Sequence, residues 1–497
     1  MTRIIKKHLQ LSAKYTVLDP APGVKLIQFP KTKNTQNKQS FTFLNKEKSF
    51  TNEIDWNFSE YGKLWTYHLN YLECLIQKDI TPNKAIDLLL NYIKEEDQLI
   101  DGCEPYPTSL RLMNCIKFLS QQKIKDSHID SWIGKQAILL QNNLEYHLLG
   151  NHLLENGFAL LFAAFHLRDI SLYQTASKIV LQELDEQILT DGAHFELSPM
   201  YHMIIFSRVL DAINLVSSND SFDDSLLQTL KDKAVLMLTW LENMMVYGKL
   251  PMVNDSYDVS EHDIQENISY ANDLGIFRYD VPLGNSGYRM IRKSDYTLLF
   301  DIGNIGPDYI PGHAHADSLQ FLLWARQKEI VVDTGVSTYE RNEHRHDERS
   351  TSAHNTVVVE GLNSSEVWAS FRVGSRAKVF DVIETKDSIE ASHDGYEYMG
   401  IIHQRSLRHL DREINIIDEI VSSQKHHSKS YLHFHPNVRP ILKNNRIWTE
   451  ECVISFDDAQ QIKLVPYQYA SSFNTTIPAI KAIISFSHTL STKIRIH

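Results

Sequence analysis

Polar residues able to do chemistry collect at four places in this chain of 497 residues. The first is Asn151-His152-Leu153-Leu154-Glu155, set inside the apolar run NHLLENGFALLFAAFHL. Residues three and four apart share a helix face, so Asn151, His152 and Glu155 can line one side, with Glu155 fixing the imidazole's tautomer. A satisfied polar pair between helices accounts for His152 and Glu155 equally well. The second is DGAHFELSPMYH, from Asp191 to His202. Ser198 as N-cap and Pro199 at the first helical position start a helix and put Tyr201 in its first turn. The positive helix end there favours a phenolate, so Tyr201 can act as general base or acid.

The third place is His313-Ala314-His315-Ala316-Asp317 after Pro311-Gly312, with Asp333 in EIVVDTG and His354 opening HNTVVVEG. Donors of these types from the ends of three sheet segments suit a tetrahedral Zn2+ site of the His/Asp/His kind. H-A-H-A-D also approaches the H-x-H-x-D-H pattern of dinuclear metallo-hydrolases, but Ser318 stands where the last histidine is required. The fourth place is arginine-rich: Tyr339-Glu340-Arg341 through Arg345 and Arg349, then FRVGSR from Phe371 to Arg376. Guanidinium forks match carboxylate and sulfate, so these residues can line a cleft for an anionic ligand; surface ion pairs are the competing account.

The elements that must position these groups follow from period. From about Trp56 to Val246 apolar residues recur at spacings of three and four, as in LWTYHLNYLECLIQ and LKDKAVLMLTWLENMMV, which predicts successive amphipathic helices with short joints. After Pro251 the pattern becomes short β-branched runs, TLLFDIG, LQFLLWA, EIVVDTG, NTVVVEG, AKVFDVIE and REINIIDEIV. With no helical pattern between them, they fit an antiparallel sheet or sandwich. The expected organisation is an extended lead-in at 1–55, with KTKNTQNKQ a solvated loop, a helical domain at 56–247, a junction at 248–290 and a β domain at 291–497. No fixed repeat period is present.

Composition narrows the function classes. The chain is 42% hydrophobic and 23% charged, with a formal net charge of −12, so there is no broad basic surface for nucleic acid. Cys74, Cys103, Cys115 and Cys452 lack C-x-x-C spacing and read as buried thiols. The amino terminus, MTRIIKKHLQLSAKYTVLD, has no apolar run of secretory type, so the chain is expected in the cytoplasm, or in the periplasm if a signal has been removed. No apolar stretch approaches the roughly 20 residues of a membrane span.

Taken in order, GNHLLENG, DGAHFELSPMYH, LPMVNDSYD, PGHAHADSLQF, VVDTGVSTYE, RSTSAHNTVVVEG and FRVGSRA resemble the heparinase II/III family of polysaccharide lyases. EPYPTSLRLMN and the segment before it resemble members associated with bacterial surface-polysaccharide assembly. The resemblance implies an α+β chain with an amino-terminal (α/α) toroid and a carboxy-terminal antiparallel β-sandwich. It implies β-elimination on a uronic-acid-containing polysaccharide. Tyr201 matches the family's catalytic tyrosine and His152 its amino-terminal histidine, with Asn151 and Glu155 in the carboxylate-binding region. His313 matches a second catalytic or substrate-binding histidine. His315, Asp333 and His354 match the ligands of a structural divalent metal, Zn2+. Tyr339, Arg345, Arg349, His202 and Glu196 are expected to contact substrate. The two histidines of His-Ala-His then do different work, which asks for a loop after Pro311-Gly312, because an extended strand would put both on one face.

Tyr201 can be base and acid in turn for a syn elimination, or acid alone with His152 or His313 as base for an anti elimination. Two other functions fit the same residues. One is an inverting glycosidase using Glu196 and Asp255 as paired carboxylates; the other is a glycan-binding assembly factor without turnover. The acidic balance favours a weakly charged glycan over a densely sulfated one. The expected assembly is a monomer or homodimer.

Overall fold

The computed structural model describes residues 15–17, 19–223 and 225–497. The first fourteen residues, most of the amino-terminal stretch MTRIIKKHLQLSAKYTVLD on which the expected compartment rests, lie outside them. The described chain forms two compact units. One comprises the residues up to Ile188 together with Ile204–Leu238 and Gln265–Arg278; the other comprises Leu189–Met203, Thr239–Ile264 and Tyr279–His497.

The first unit is helical, with Lys63–Asn70, Pro82–Lys94, Pro105–Gln122, Ser127–Gln141, Gly150–Leu167 and Ile170–Gln187 in succession. Their starts are chemically marked. Thr81 caps Pro82–Lys94 by accepting from the Lys84 N–H, Asp126 accepts from His128 and Ile129, and Asp169 accepts from Ser171 and Leu172. Gly150–Leu167 packs against Pro105–Gln122, Ser127–Gln141 and Ile170–Gln187. It is buried from Leu153 to His166, which explains its apolar residues on every side rather than on one stripe. Gly157 permits this: a Cβ there would lie 2.9 Å from Cγ2 of Ile179 on the next helix.

The polar stretch KTKNTQNKQ departs from the loop expected of it. Gln36–Asn37 pairs with Ser40–Phe43, which pairs with Lys46–Ser49 in a three-stranded antiparallel sheet. Phe41 and Phe43, alternating in that hairpin, are buried. Gln36 is held by Gln77, whose side chain exchanges hydrogen bonds of 3.0 and 2.8 Å with its backbone. A distant amide, invisible to local composition, supplies the partners.

The second unit is built on antiparallel sheets. One has four strands, Tyr288–Arg292, Tyr296–Asp301, Phe321–Ala325 and Lys328–Val331. Another places Gln461–Ser472, Thr475–Phe486, Ser428–His433 and Val357–Val359 side by side. The largest has eight strands, running from the edge strand Val379–Glu384 through Ser388–His393, Ile402–His409, Glu413–Val421, Thr489–Ile496 and Cys452–Asp457 to two short strands. Burial alternates along Ile402–His409, Glu413–Val421 and Thr489–Ile496, the mark of strands with one face in the core. Inward residues of all three sheets, among them Leu298, Phe300, Val357, Ile416, Leu432, Ile484 and Ile494, form one contiguous apolar cluster. The architecture is thus α+β, an (α/α) toroid followed by an antiparallel β-sandwich, with the helix Glu261–Asp273 inside the segment expected as a junction. Cys74, Cys115 and Cys452 are buried free thiols, whereas Cys103 is only partly buried. Among the described residues no helix is long and apolar enough to cross a membrane.

Buried imidazoles run through both units. In the sandwich, Asp418 accepts from His403 Nε2 at 2.8 Å, leaving His403 Nδ1 to accept from His393 Nε2 at 3.0 Å, while His393 Nδ1 accepts the Gly395 N–H at 3.1 Å. One neutral tautomer satisfies each ring. Burial lowers the pKa of His403 and His68 and drives that of His393 far down. The unfolded chain therefore binds protons near pH 6.5 that the folded chain refuses. Stability is expected to be fully present above that pH and to fall steadily between about pH 6.5 and 5. Urea unfolding across this range tests it, and a flat profile would contradict the buried neutral rings.

Candidate active site

The site in the second unit grows from Asn254. Its backbone is left-handed, with φ of +52°, a conformation that asparagine tolerates better than most residues. Its side-chain amide donates to the Leu197 carbonyl at 3.2 Å and the Tyr288 hydroxyl at 3.1 Å, and its oxygen accepts the His315 N–H at 3.0 Å. Three chain segments are thereby joined around Asp255.

Asp255 is completely buried. Arg345 donates from both Nη atoms to its two oxygens, at 2.5 and 2.7 Å, His313 donates from Nδ1 at 2.9 Å, and His315 donates from Nε2 at 2.9 Å. Burial alone would raise this carboxyl's pKa; the Arg345 guanidinium and the two imidazole donors outweigh it and hold the group well below the usual carboxylate range. An ionised carboxylate only accepts, so Nδ1 of His313 carries a proton, and in the neutral ring Nε2 carries the lone pair.

Ser198 caps the helix Pro199–Ser217 as expected, its Oγ accepting the Tyr201 N–H at 3.4 Å. The same hydroxyl donates to the Asp255 carbonyl at 3.2 Å, so the helix start is tied to the carboxylate loop. The Tyr201 ring lies 3.9 Å from the His313 ring, centroid to centroid, at 34°. Tyr201 Oη donates to Tyr339 Oη at 3.4 Å, and Tyr339 donates onward to the Asp255 carbonyl at 3.3 Å. His313 lies in a loop, with no strand between Pro311 and Asp317, so strand alternation does not set its direction relative to His315.

A similar trio stands in the first unit. His152 Nδ1 meets Glu145 at 3.1 Å, and the His152 ring lies 4.5 Å from that of Tyr106. Asn156 fixes Glu145 from both sides, donating to its carboxylate at 3.0 Å and accepting its N–H at 2.9 Å. About a third of the His152 side chain remains exposed. Asn151 is buried in the first helical turn.

Several expected roles change. Glu155 does not orient His152; fully buried, it takes two 3.1 Å contacts from Arg208 Nε, because its side chain leaves the helix toward Pro199–Ser217 while Glu145 reaches the imidazole. Arg345 and Arg349 do not line a cleft. Both are buried, four residues apart on the helix Glu343–Arg349, and donate to Asp255 and to the backbone oxygens of Ser370 and Ala314. His202 is buried against Trp240, its Nδ1 accepting the His194 N–H at 3.2 Å, and Glu196 is buried beside His194. Among the expected substrate contacts, Tyr339 touches both Tyr201 and His313.

His315, Asp333 and His354 do not form a three-ligand cluster. His354 Nδ1 donates to Asp333 at 2.7 Å, while Asp255 engages His315 Nε2. Among the described residues no three His, Cys, Asp or Glu groups are placed to hold a metal ion. The donor chemistry nonetheless suits Zn2+: the His315 and His354 rings are 5.3 Å apart, and His315 Nδ1 and His354 Nε2 are buried without a hydrogen-bond partner.

Asp255 and Glu145 are the residues that sequence reasoning underrated. By sequence Asp255 reads only as a glycosidase carboxylate, and Glu145 lies before the helix Gly150–Leu167 begins, so no helix face joins it to His152. The unusual Asn-Asp-Ser after an apolar Pro-Met-Val was the one local signal. Removing the Asp255 partner should be severe: Arg345→Met would strand a buried carboxylate and cost about 3–5 kcal/mol of stability. Denaturant unfolding measures it, and a loss below about 1 kcal/mol would mean the pair is a minor contact.

A family model described as heparinase II/III N-terminus matches residues 116–279, and one described as heparinase II/III-like, C-terminal, matches 278–497. A heparin-sulfate lyase of Bacteroides stercoris is 24% identical over 355 residues, covering 64% of this chain and 50% of the relative. The chain spans about half the length of the curated relatives it matches. Among solved structures, a heparan sulfate lyase HepC mutant from Pedobacter heparinus aligns over 92% of this chain and 81% of its own, with a TM-score of 0.63 and 16% identity. A structure of heparinase III aligns over 90% of this chain and 80% of its own, with a TM-score of 0.69 and 15% identity. These likenesses extend the agreement in fold across both units, and the two adjoining family matches establish that the chain belongs to the heparinase II/III-like family.

Proposed function

We propose that the chain is a polysaccharide lyase that cleaves a uronic-acid-containing glycan by β-elimination. The observation that carries this reading is the Tyr201–His313–Asp255 arrangement, a phenol beside an imidazole whose tautomer a buried carboxylate dictates. The names of the relatives, heparin-sulfate lyases, support it.

The C5 proton of a uronate is weakly acidic because the adjoining carboxylate must accommodate the developing charge. His313 Nε2, with its lone pair free of Asp255, takes that proton. The C5–H electron pair becomes the C4–C5 double bond, the C4–O bond breaks, and Tyr201 protonates the departing oxygen. Tyr201 starts as a phenol in this scheme because its hydroxyl donates to Tyr339, which donates to the Asp255 carbonyl. After cleavage an imidazolium faces a phenolate across adjacent rings, and the pair resets by proton transfer from one to the other. Within the first unit, His152, oriented by Glu145, and Asn151 are the groups suited to pairing with a uronate carboxylate. A bound Zn2+ is assigned to His315, Asp333 and His354 in a structural role, with no part in proton transfer.

The glycosidase alternative loses support from the same geometry. An inverting enzyme needs one carboxylic acid and one carboxylate with room for water between them, whereas Asp255 is enclosed, ionised and committed to four donors.

With a panel of uronate polysaccharides, ultraviolet absorbance of a conjugated unsaturated uronate should rise. Tyr201→Phe should cut the rate about 100-fold or more while leaving the circular dichroism spectrum unchanged. Saturated new reducing ends, or undiminished activity in that variant, would overturn the mechanism. For the metal, elemental analysis should find Zn2+ bound, and a chelator should lower the Tm; a metal-free protein with an unmoved Tm would remove the ion from this account.

A further inference from the structure

Beside the Tyr201–His313 pair the chain presents a small hairpin that the elimination chemistry does not use. Val367–Trp368 pairs with Arg372–Val373, and Trp368 stands directly opposite Arg372. Side chains of directly opposed residues lie on one face of a hairpin, so an indole and a guanidinium share a face. Trp368 is 45% exposed and Phe371, in the turn, 42%. Exposed rings scattered singly are ordinary, so the weight rests on an exposed indole sharing a face with a guanidinium.

This hairpin is firmly held. The Ser370 carbonyl, at the turn, accepts from Arg345 Nε at 3.0 Å, Arg345 Nη2 at 2.9 Å and Arg349 Nη1 at 3.2 Å. Arg345 is the residue that grips Asp255, so one guanidinium fixes both the carboxylate that positions His313 and the hairpin tip. Its face also covers the rings of Tyr339 and Phe371, at 5.0 and 5.5 Å. Phe371 meets the His313 ring edge-on, with centroids 5.7 Å apart at 76°. Gly374 completes the support: a Cβ there would come within 2.8 Å of the Trp368 ring, so the indole lies against bare backbone. Arg372 itself is exposed and makes no side-chain hydrogen bond or ion pair among the described residues, although the protein as a whole is acidic.

A rigid aromatic platform with an uncommitted guanidinium on the same face matches the two sides of an acidic sugar: the C–H face of a pyranose stacks on the ring, and its carboxylate or sulfate pairs with the fork. We propose that the Val367–Val373 hairpin is a substrate subsite that binds an acid-bearing pyranose next to the reacting residue, with Trp368 as its platform and Arg372 as its anion contact, while Phe371 ties the hairpin to His313. The inference deepens the lyase reading and rests on it, but it concerns binding and can fail alone.

Binding is therefore measured without turnover, in the full chain carrying Tyr201→Phe, with end-labelled octasaccharides of hyaluronan, which bears carboxylates only, and of heparan sulfate, which also bears sulfates. Adding Trp368→Ala or Arg372→Ala should raise the Kd of the bound octasaccharide at least ten-fold, while Tyr398→Ala, at an exposed ring elsewhere on the sandwich, should leave it unchanged. Arg372→Ala should also reduce the salt dependence of binding. In the otherwise wild-type enzyme, Trp368→Ala should raise KM and leave kcat within about three-fold. Loss of affinity for both octasaccharides identifies a carboxylate subsite, and loss confined to heparan sulfate a sulfate subsite; either supports the inference. Unchanged Kd in both hairpin variants overturns it while leaving the lyase reading standing. Absence of both binding and elimination with these glycans would overturn the two together.

Discussion

The ion pair between Arg345 and Asp255 is the interaction on which the functional architecture of the second unit depends. Asp255 lies where no water can solvate it, and an ionised carboxylate in that position is tolerable only because a bidentate guanidinium and two imidazole N–H groups surround it. Each of those donors belongs to a segment that chemistry must place: His313 beside Tyr201, His315 beside His354, and Arg345 beneath Tyr339 and Phe371. The charge network thus works as a positioning device. Its contribution to net stability is smaller than the cost of disturbing it, since desolvation offsets much of the Coulomb attraction.

The same physical device recurs in the helical unit with different parts. Glu145 orients His152 as Asp255 orients His313, and a tyrosine ring adjoins each imidazole. The two differ in how the carboxylate is supported. Asn156 holds Glu145 through neutral amide contacts, whereas Asp255 carries a full counter-charge. At these two sites a buried carboxylate sets the histidine tautomer, and in the sandwich Asp418 extends the pattern through His403 to His393.

Backbone conformation contributes where side chains alone are insufficient. Asn254 sits in the left-handed region immediately before Asp255, and Leu197, just before the cap Ser198, has φ of +56°. Leu149 and Gly150, at the start of the helix bearing Asn151 and His152, also have positive φ. Such conformations are costly for residues other than glycine and persist where surrounding contacts over-determine them. Here the over-determination is visible at Asn254, whose side chain binds three separate segments.

The sequence by itself determined the two classes of architecture, because a helical period from Trp56 onward and alternating β-branched runs after Pro251 are local properties of the chain. It also located the capped start of the helix bearing Tyr201, since Ser198 and Pro199 are adjacent to the turn they create. The order of short motifs pointed to the family. Partner choice was decided by tertiary structure. Glu155 shares a helix face with His152 by spacing, yet it pairs with Arg208, fifty-three residues away, and Glu145 takes its place. Arg345 and Arg349 look like surface cations in a list of residues, but burial turns them into internal supports, with hydrogen bonds that cross ninety positions to Asp255 and thirty-five to Ala314. The reason is physical: secondary structure follows from neighbours within a few residues, whereas the fate of a charged side chain depends on which distant groups share its desolvated surroundings.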